Sequence, residues 1–473
     1  MEPPEELATE FIKPPPLKPP APKDDTSRTD RLVESLDNGM RYIPDWKSWV
    51  YWDGERWSKE SGDYEIHQRI AELQAALMEE ANTTVGQTEQ KEAFSVAMAA
   101  RSKKAIDAMI ALTKTRVGVK ANTTEFDSNP WLFGVANGAI ELKTGQFRAT
   151  KKEDLILNKS PISFDASAKC PQWLEFLEQI LPAQELRDFI QRMIGYSMTT
   201  MTTEQVLFFL YGTGMNGKST FMEVVEKIFG DYAWHTNASL FLADKFNSDH
   251  SPAIASLVEK RLVVGAEVPT SARINENIIK DLTGSDILNA RKLYCEAFQF
   301  KPTHKLFFVG NHKPTIKGTD TGMWRRMRLI PFTVQIPEEK RDTGIVERLR
   351  LENAGILNWA IEGCLKWQKE GLGNPPCVKD ATDSYREDED IIGEFITEEC
   401  KMEGDVFKDD LFRAFDLWCQ ARGHRYVQGT KAVAERMRSA PGVGEGRKKH
   451  KGIARRFWSG ISLTDPKAFK GIN

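Results

Sequence analysis

The stretch Val206-Leu207-Phe208-Phe209-Leu210-Tyr211-Gly212-Thr213-Gly214-Met215-Asn216-Gly217-Lys218-Ser219-Thr220 decides the fold. Its apolar opening predicts a buried strand, its glycines fit G-x-x-x-x-G-K-[ST], and Phe221–Phe229 reads as the helix that should follow. Glycines let a loop wrap a triphosphate with its N–H groups inward, and the helix N-terminus adds positive potential. In that frame Gly212, Gly214, Asn216 and Gly217 shape a cradle for ATP. Lys218 reaches the β/γ-phosphates, Ser219 is the Mg²⁺ ligand, and Thr220 supports the site from the next position. An accidental Gly-rich turn would lack this strand-and-helix setting.

Further apolar runs lie outward along the chain. Leu262–Ala266 is a strand ending at Glu267, a carboxylate that can orient the attacking water or simply be a solvated strand end. Many such strands end in two acids, and here Ala266 takes the first place, so Mg²⁺ would rest on Ser219, phosphates and water. Leu306–Gly310 ends at Asn311, which suits either a γ-phosphate contact or a turn. Continuous apolar strands separated by helices predict an α/β core with a parallel sheet covered on both faces. Arg325, Arg326 and Arg328 then cluster; they suit an arginine finger into a neighbouring subunit or a salt-bridged strand edge. Arg291-Lys292 sits between Ile287-Leu288 and Leu293-Tyr294, as a cationic turn between strands would. Such a turn can hold a DNA backbone without reading bases, or be ordinary surface.

The flanks set the wider frame. A chain of 473 residues, 40% hydrophobic, has room for about three domains and enough apolar side chains to exclude wholesale disorder. The net charge of −3 hides an asymmetry: Ala421 to the end holds 13 Lys/Arg against 3 Asp/Glu. There Arg447, Lys448, Lys449, Lys451, Arg455 and Arg456 lie beside Phe457-Trp458, after helices expected over 391–400, 409–422 and 431–439. Helices followed by a basic hairpin fit a winged-helix module whose wing meets DNA; a solubilising basic end is the plain alternative. Residues 1–30 hold eight of the 23 prolines and predict an extended tail. Trp46, Trp49, Trp52 and Trp57 surround a hairpin turn at Asp53-Gly54. They suit a small-sheet core or base stacking. Residues 62–117 read as helix, and Asn137-Gly138 marks another hairpin. Six scattered cysteines without metal spacing, and no run of 18 apolar residues, predict a reduced, soluble, cytoplasmic or otherwise intracellular protein with no membrane span.

The order of these motifs resembles superfamily three helicases, AAA+ motors of viruses, phages and plasmids. Lys280-Asp281-Leu282-Thr283-Gly284-Ser285-Asp286, Ala290-Arg291-Lys292-Leu293-Tyr294 and Asn311-His312-Lys313-Pro314 are similar to the phage/plasmid primase-helicase branch, which includes the poxvirus primase-helicase. The resemblance implies a hexameric ring with nucleotide sites between copies and 3′→5′ translocation on single-stranded DNA. It makes Lys218 and Ser219 the phosphate and metal contacts, Glu267 the catalytic acid and Asn311 the first sensor. Arg326 fits the finger better than Arg325, and Arg291 and Lys292 become the tip of a pore hairpin. The expected organisation is a Pro-rich tail (1–30), a small α+β helicase-associated domain (31–171), an AAA+ ATPase core (172–345), a helical lid (346–384) and a basic winged-helix-like domain (385–473). Relatives often carry a priming domain upstream, whereas only about 30 Pro-rich residues precede the helicase-associated region in this sequence. Primer synthesis by these residues is not expected, which leaves either a separate primase or polymerase as partner or a priming domain lost by truncation. The expected function is an ATP-dependent replicative helicase on single-stranded and forked DNA. The rival is an ATP-switched initiator or loader; a metabolic kinase is disfavoured by the arginine pair and the basic end.

Overall fold

In the computed structural model the described residues are 23–243, 251–266, 268–269, 272–291, 297–316, 321–423, 429–450 and 453–465. Glu267, Lys292, Lys451 and most of the Pro-rich stretch lie outside them. Two units emerge: residues up to Ser128 with Ala149–Leu157, and Asn129–Arg148 with everything from Asn158 onward.

The first unit is α+β. Met40–Ile43, Ser48–Trp52 and Trp57–Ser58 form an antiparallel sheet, closed at Asp53, whose carboxylate accepts from the Glu55 and Arg56 N–H groups at 2.8 Å. Trp49 and Trp57 are buried, edge-on to Tyr42 and Phe126 respectively. These rings are core; burying side chains of this size is worth roughly 1.5–3 kcal/mol each, and buried rings offer no platform to a base. The helical stretch expected over 62–117 is three helices, Gly62–Thr83, Gln87–Ala100 and Lys103–Thr113. Gly86, at φ +106°, breaks the first junction, and Ser102 caps the third helix by accepting from the Ala105 N–H.

The second unit is built on a five-stranded, wholly parallel sheet. Its order is Met327–Pro331, Leu207–Tyr211, Lys305–Gly310, Leu262–Ala266, Ala233–Asn237. Successive side chains point to opposite faces, and both faces are apolar. Phe208, Leu210, Val264, Phe307 and Ile330 join one core with the helices Pro171–Ile180, Gln184–Ser197, Lys218–Phe229 and Asn353–Glu370. Leu207, Phe209, Val263, Phe308 and Leu329 join the other, against Glu276–Thr283 and Tyr385 of the helix Pro376–Asp388. The register fixes what the sheet presents at each end. Tyr211 pairs with Gly310, and Ala266 with Val309, so the Gly-rich loop, Asn311 and the end of Leu262–Ala266 share the C-terminal edge. At the opposite edge the Arg326 carbonyl accepts from the Leu207 N–H at 2.8 Å.

Beyond the sheet, Leu288–Arg291 and Ala297–Phe300 form an antiparallel ribbon anchored by Ala290 and Phe300. The C-terminal part is largely helical: Ile391–Glu399, Lys408–Ala421 and Thr430–Ser439 pack on a small sheet ordered Asp405–Phe407, Ile453–Ser459, Gly444–His450. Trp458, Phe415 and Trp418 fill that core. Among the described residues no helix is long and apolar enough to cross a membrane.

Candidate functional site

The loop after Leu207–Tyr211 is shaped by backbone that only certain residues tolerate. Gly214 (φ +100°), Met215 (φ +53°) and Gly217 (φ +79°) are left-handed. A Cβ on Gly212 would lie 2.2 Å from Asn216 Nδ2 and 2.4 Å from the Phe332 carbonyl. On Gly217 it would lie 2.6 Å from Ile180. Asn216, one residue before Gly217, acts as a clasp: its Nδ2 donates to Phe332 O at 3.1 Å while its Oδ1 accepts from Lys218.

Lys218 opens the helix Lys218–Phe229 and is only 4% exposed. Its ammonium donates to Gly212 O (2.9 Å), Asn216 Oδ1 (2.8 Å) and Asn311 Oδ1 (3.1 Å). All three acceptors are neutral. Among the described residues no carboxylate lies within ion-pair distance, and burial lowers the lysine's pKa to about 8. A buried cation held by dipoles alone, beside a loop of inward-curving backbone, suits an incoming anion. Ser219 follows, exposed on the first helical turn with no hydrogen bond among the described residues, so its hydroxyl is free for a hard cation. Thr220 lines a neighbouring cavity of about 390 Å³ with Phe176, Met215, Gly217, Ile336 and Ile345. Gly212, Gly214, Asn216, Gly217, Lys218, Ser219, Thr220 and Asn311 therefore form one constellation. Glu267 falls outside the described residues; the strand that leads to it ends at this same edge.

The two arginines expected to supply a finger differ sharply. Arg326 is 8% exposed; its Nε donates to Thr283 Oγ1 at 3.0 Å and its Nη1 to Gly322 O at 2.7 Å, within its own subunit. Arg325 is exposed, and its guanidinium donates to Gln205 Oε1 at 3.1 Å. Both lie at the sheet edge away from Lys218. Arg291 is exposed at the outer end of its ribbon, paired with Ala297; Lys292 lies outside the described residues.

The basic hairpin at the C-terminus carries two like-charge pairs directly opposite one another, Lys448 with Arg455 and Arg447 with Arg456. Such pairs repel unless compensated. The first is compensated: Lys448 meets Asp405 at 2.7 Å, and Arg455 meets Asp410 at 2.9 Å and Asp409 at 3.6 Å, above the Phe407 ring. The second is not. Arg447, Arg456 and Lys449 alternate onto the other face, exposed and without ion pairs among the described residues. The sequence shows the cations but not this division, because the aspartates arrive from a strand and helix some 40 residues earlier.

Comparison with known proteins adds family context. Residues 29–182 match the family model described as D5 N terminal like, and residues 210–326 match one described as a family of unknown function (DUF5906). A protein named "Putative helicase" of Acanthamoeba polyphaga mimivirus is 30% identical over 292 residues, 57% of this chain and 30% of that protein. One named "Putative helicase" of Frog virus 3 is 24% identical over 380 residues, 62% and 39% of the two chains. One named "Putative primase" of African swine fever virus is 26% identical over 300 residues, 58% and 31%. The chain thus spans about a third of the length of the curated relatives it matches. Among solved structures the NrS-1 C-terminal region superposes at a TM-score of 0.48 and 13% identity, covering 92% of this chain and 98% of that one. With a D5 N terminal like region at residues 29–182 and relatives named as helicases and primases, the chain is similar to the D5-like helicases and primases of large DNA viruses.

Proposed function

We propose that the chain is an ATP-driven DNA helicase motor of the superfamily three, AAA+ kind, working as a homohexamer that moves 3′→5′ along single-stranded DNA. The observation that carries this reading is Lys218: a buried ammonium ringed by neutral oxygens from the Gly-rich loop and from Asn311. A triphosphate would replace those weak acceptors with charged ones. Loop N–H groups would hold the phosphates, Asn311 would contact the terminal one, and the cavity beside Phe176 and Ile336 would take the base. Mg²⁺, held by Ser219 and the phosphates, would neutralise charge as the terminal phosphoryl group leaves. Glu267 is proposed to orient the water.

The finger is proposed to be Arg325 in place of Arg326, because a guanidinium must be exposed to enter another copy's site. Arg291 and Lys292 are proposed to grip the DNA backbone. Strand displacement on a forked duplex tests the motor reading: Arg291→Ala should lose displacement while keeping most of its ATP turnover. Equal displacement by Arg291→Ala and the parent would remove Arg291 from the DNA grip, and ATP-dependent DNA binding by a parent that displaces no strand would favour a loader.

A winged-helix role is proposed for the C-terminal part, with Arg447, Lys449 and Arg456 meeting phosphates. Arg447→Ala/Arg456→Ala should lower the slope of log K against log salt by about 1–2 and leave the melting temperature alone. Lys448→Ala/Arg455→Ala should instead cost on the order of 1 kcal/mol of stability, as exposed ion pairs do. Fluorescence anisotropy with a labelled oligonucleotide and thermal melts separate the two.

Nucleotide affinity should also depend on pH. The ligand-free Lys218 loses its proton near pH 8, whereas phosphates would hold it on. Affinity for MgATP should be flat below about pH 7 and fall by up to about tenfold per unit above pH 8. Calorimetric titrations across that range measure it; a flat profile to pH 10 would count against the lysine contact.

A further inference from the structure

A second concave site lies at the sheet edge opposite Lys218. A cavity of about 350 Å³ is walled by Arg325 and Arg328 from the segment around Met327–Pro331 and by Lys379, Asp383 and Arg386 from the helix Pro376–Asp388. Four cations face one carboxylate. Lys379, Asp383 and Arg386 recur at helical spacing and so line one face. Arg328 is held in place: its Nη1 donates to the Arg325 carbonyl at 2.8 Å and the Met327 carbonyl at 3.0 Å. Its Nε is buried with no hydrogen-bond partner among the described residues. Neither Lys379 nor Arg386 makes an ion pair among the described residues. Trp324, packed edge-on to Tyr385 at 5.2 Å, stiffens the floor.

We infer that this pocket binds phosphoryl groups, and that those groups belong to a nucleotide held by a second copy of the chain. This rests on the reading of the Gly-rich loop as a triphosphate site. The pocket's own loop is out of reach. Met327 pairs with Leu207 and Pro331 with Tyr211, so the full strand separates the two ends, roughly 13 Å before any side chain is counted. A concave pocket closed on two sides suits a compact terminal polyphosphate, whereas a DNA backbone asks for an open cationic stripe. Guanidinium forks on both walls, Arg325 and Arg328 on one and Arg386 on the other, with the Lys379 ammonium beside Arg386, match the oxygens of such a group. Lys379, Arg386 and Arg328 thereby join Arg325 as phosphate-binding residues contributed across a joint between copies.

The test begins with sodium pyrophosphate titrated calorimetrically into the Lys218→Ala protein, which lacks the loop's own phosphate contact. One pyrophosphate per chain is expected, with affinity at least tenfold weaker when Lys379→Glu/Arg386→Glu is added; Lys379→Gln/Arg386→Gln serves if charge reversal perturbs folding. No binding, or unchanged binding in both combinations, overturns the pocket. The source is tested by mixing. Lys379→Glu/Arg386→Glu chains, whose loop is intact, and Lys218→Ala chains, whose pocket is intact, should each be inactive alone and regain ATP turnover together. Loss of oligothymidylate binding with ATP turnover unchanged would assign the pocket to DNA and overturn the second-copy reading. If the parent neither binds nor hydrolyses ATP, the nucleotide reading fails by itself, and the pyrophosphate titration still decides the pocket.

Discussion

Lys218→Ala is expected to lower ATP turnover by about 10²–10³-fold, the usual cost of removing one preorganised charge contact to a phosphoryl group. The effect should be concentrated in that one side chain because of where it sits. The ammonium bridges Gly212 at the start of the loop, Asn216 within it and Asn311 on the adjacent strand end, so alanine removes both the phosphate contact and the tie between two strands. The Gly212 and Asn216 oxygens left behind are buried, so the variant should also lose on the order of 1–3 kcal/mol of stability, and turnover is compared per folded molecule. A fluorescent ATP analogue should bind at least tenfold more weakly to the folded variant, whose melting temperature should fall by several degrees while staying above the assay temperature. Lys218→Arg should fail to rescue, because a planar fork does not fit a pocket shaped for a point charge. Normal turnover in Lys218→Ala would remove the loop from the chemistry.

The second large effect separates neighbours. Arg325→Ala should lose about 10³-fold in turnover, the scale of an arginine finger, while binding nucleotide and melting like the parent. Arg326→Ala should do the reverse in kind. It empties a buried position and removes the guanidinium's bonds to the Thr283 hydroxyl, which keeps its bond to the Ile279 carbonyl, and to the Gly322 carbonyl. Stability should therefore fall by about 1–3 kcal/mol, with activity declining only as folded protein is lost. Thermal melts and steady-state turnover on the same preparations distinguish the two. A stable but inactive Arg326→Ala would return the finger to that residue.

These neighbours also show where sequence reading stops. The Gly-rich loop, the apolar strands and the basic hairpin are legible because each is local: the residues that make the structure are adjacent along the chain. Which of two consecutive arginines is exposed depends on Thr283, 43 positions away, and no spacing rule reveals it. The same holds for Lys448 and Arg455, whose partners Asp405, Asp409 and Asp410 convert two apparent DNA contacts into internal ion pairs. Lys379 and Arg386 read as ordinary surface cations on a helix until folding sets them against Arg325 and Arg328. Gly86, at φ +106°, ends one helix and precedes the next, while the apolar periodicity continues on either side of it, so the pattern alone does not mark the break.

Steady-state ATP hydrolysis, measured with and without a single-stranded oligonucleotide, tests the account most directly. Hydrolysis that rises severalfold with the oligonucleotide, and vanishes for both in Lys218→Ala, is the expected result. Hydrolysis indifferent to DNA, or none at all while MgATP is shown to bind, would contradict the view that the Lys218 loop drives movement along a strand.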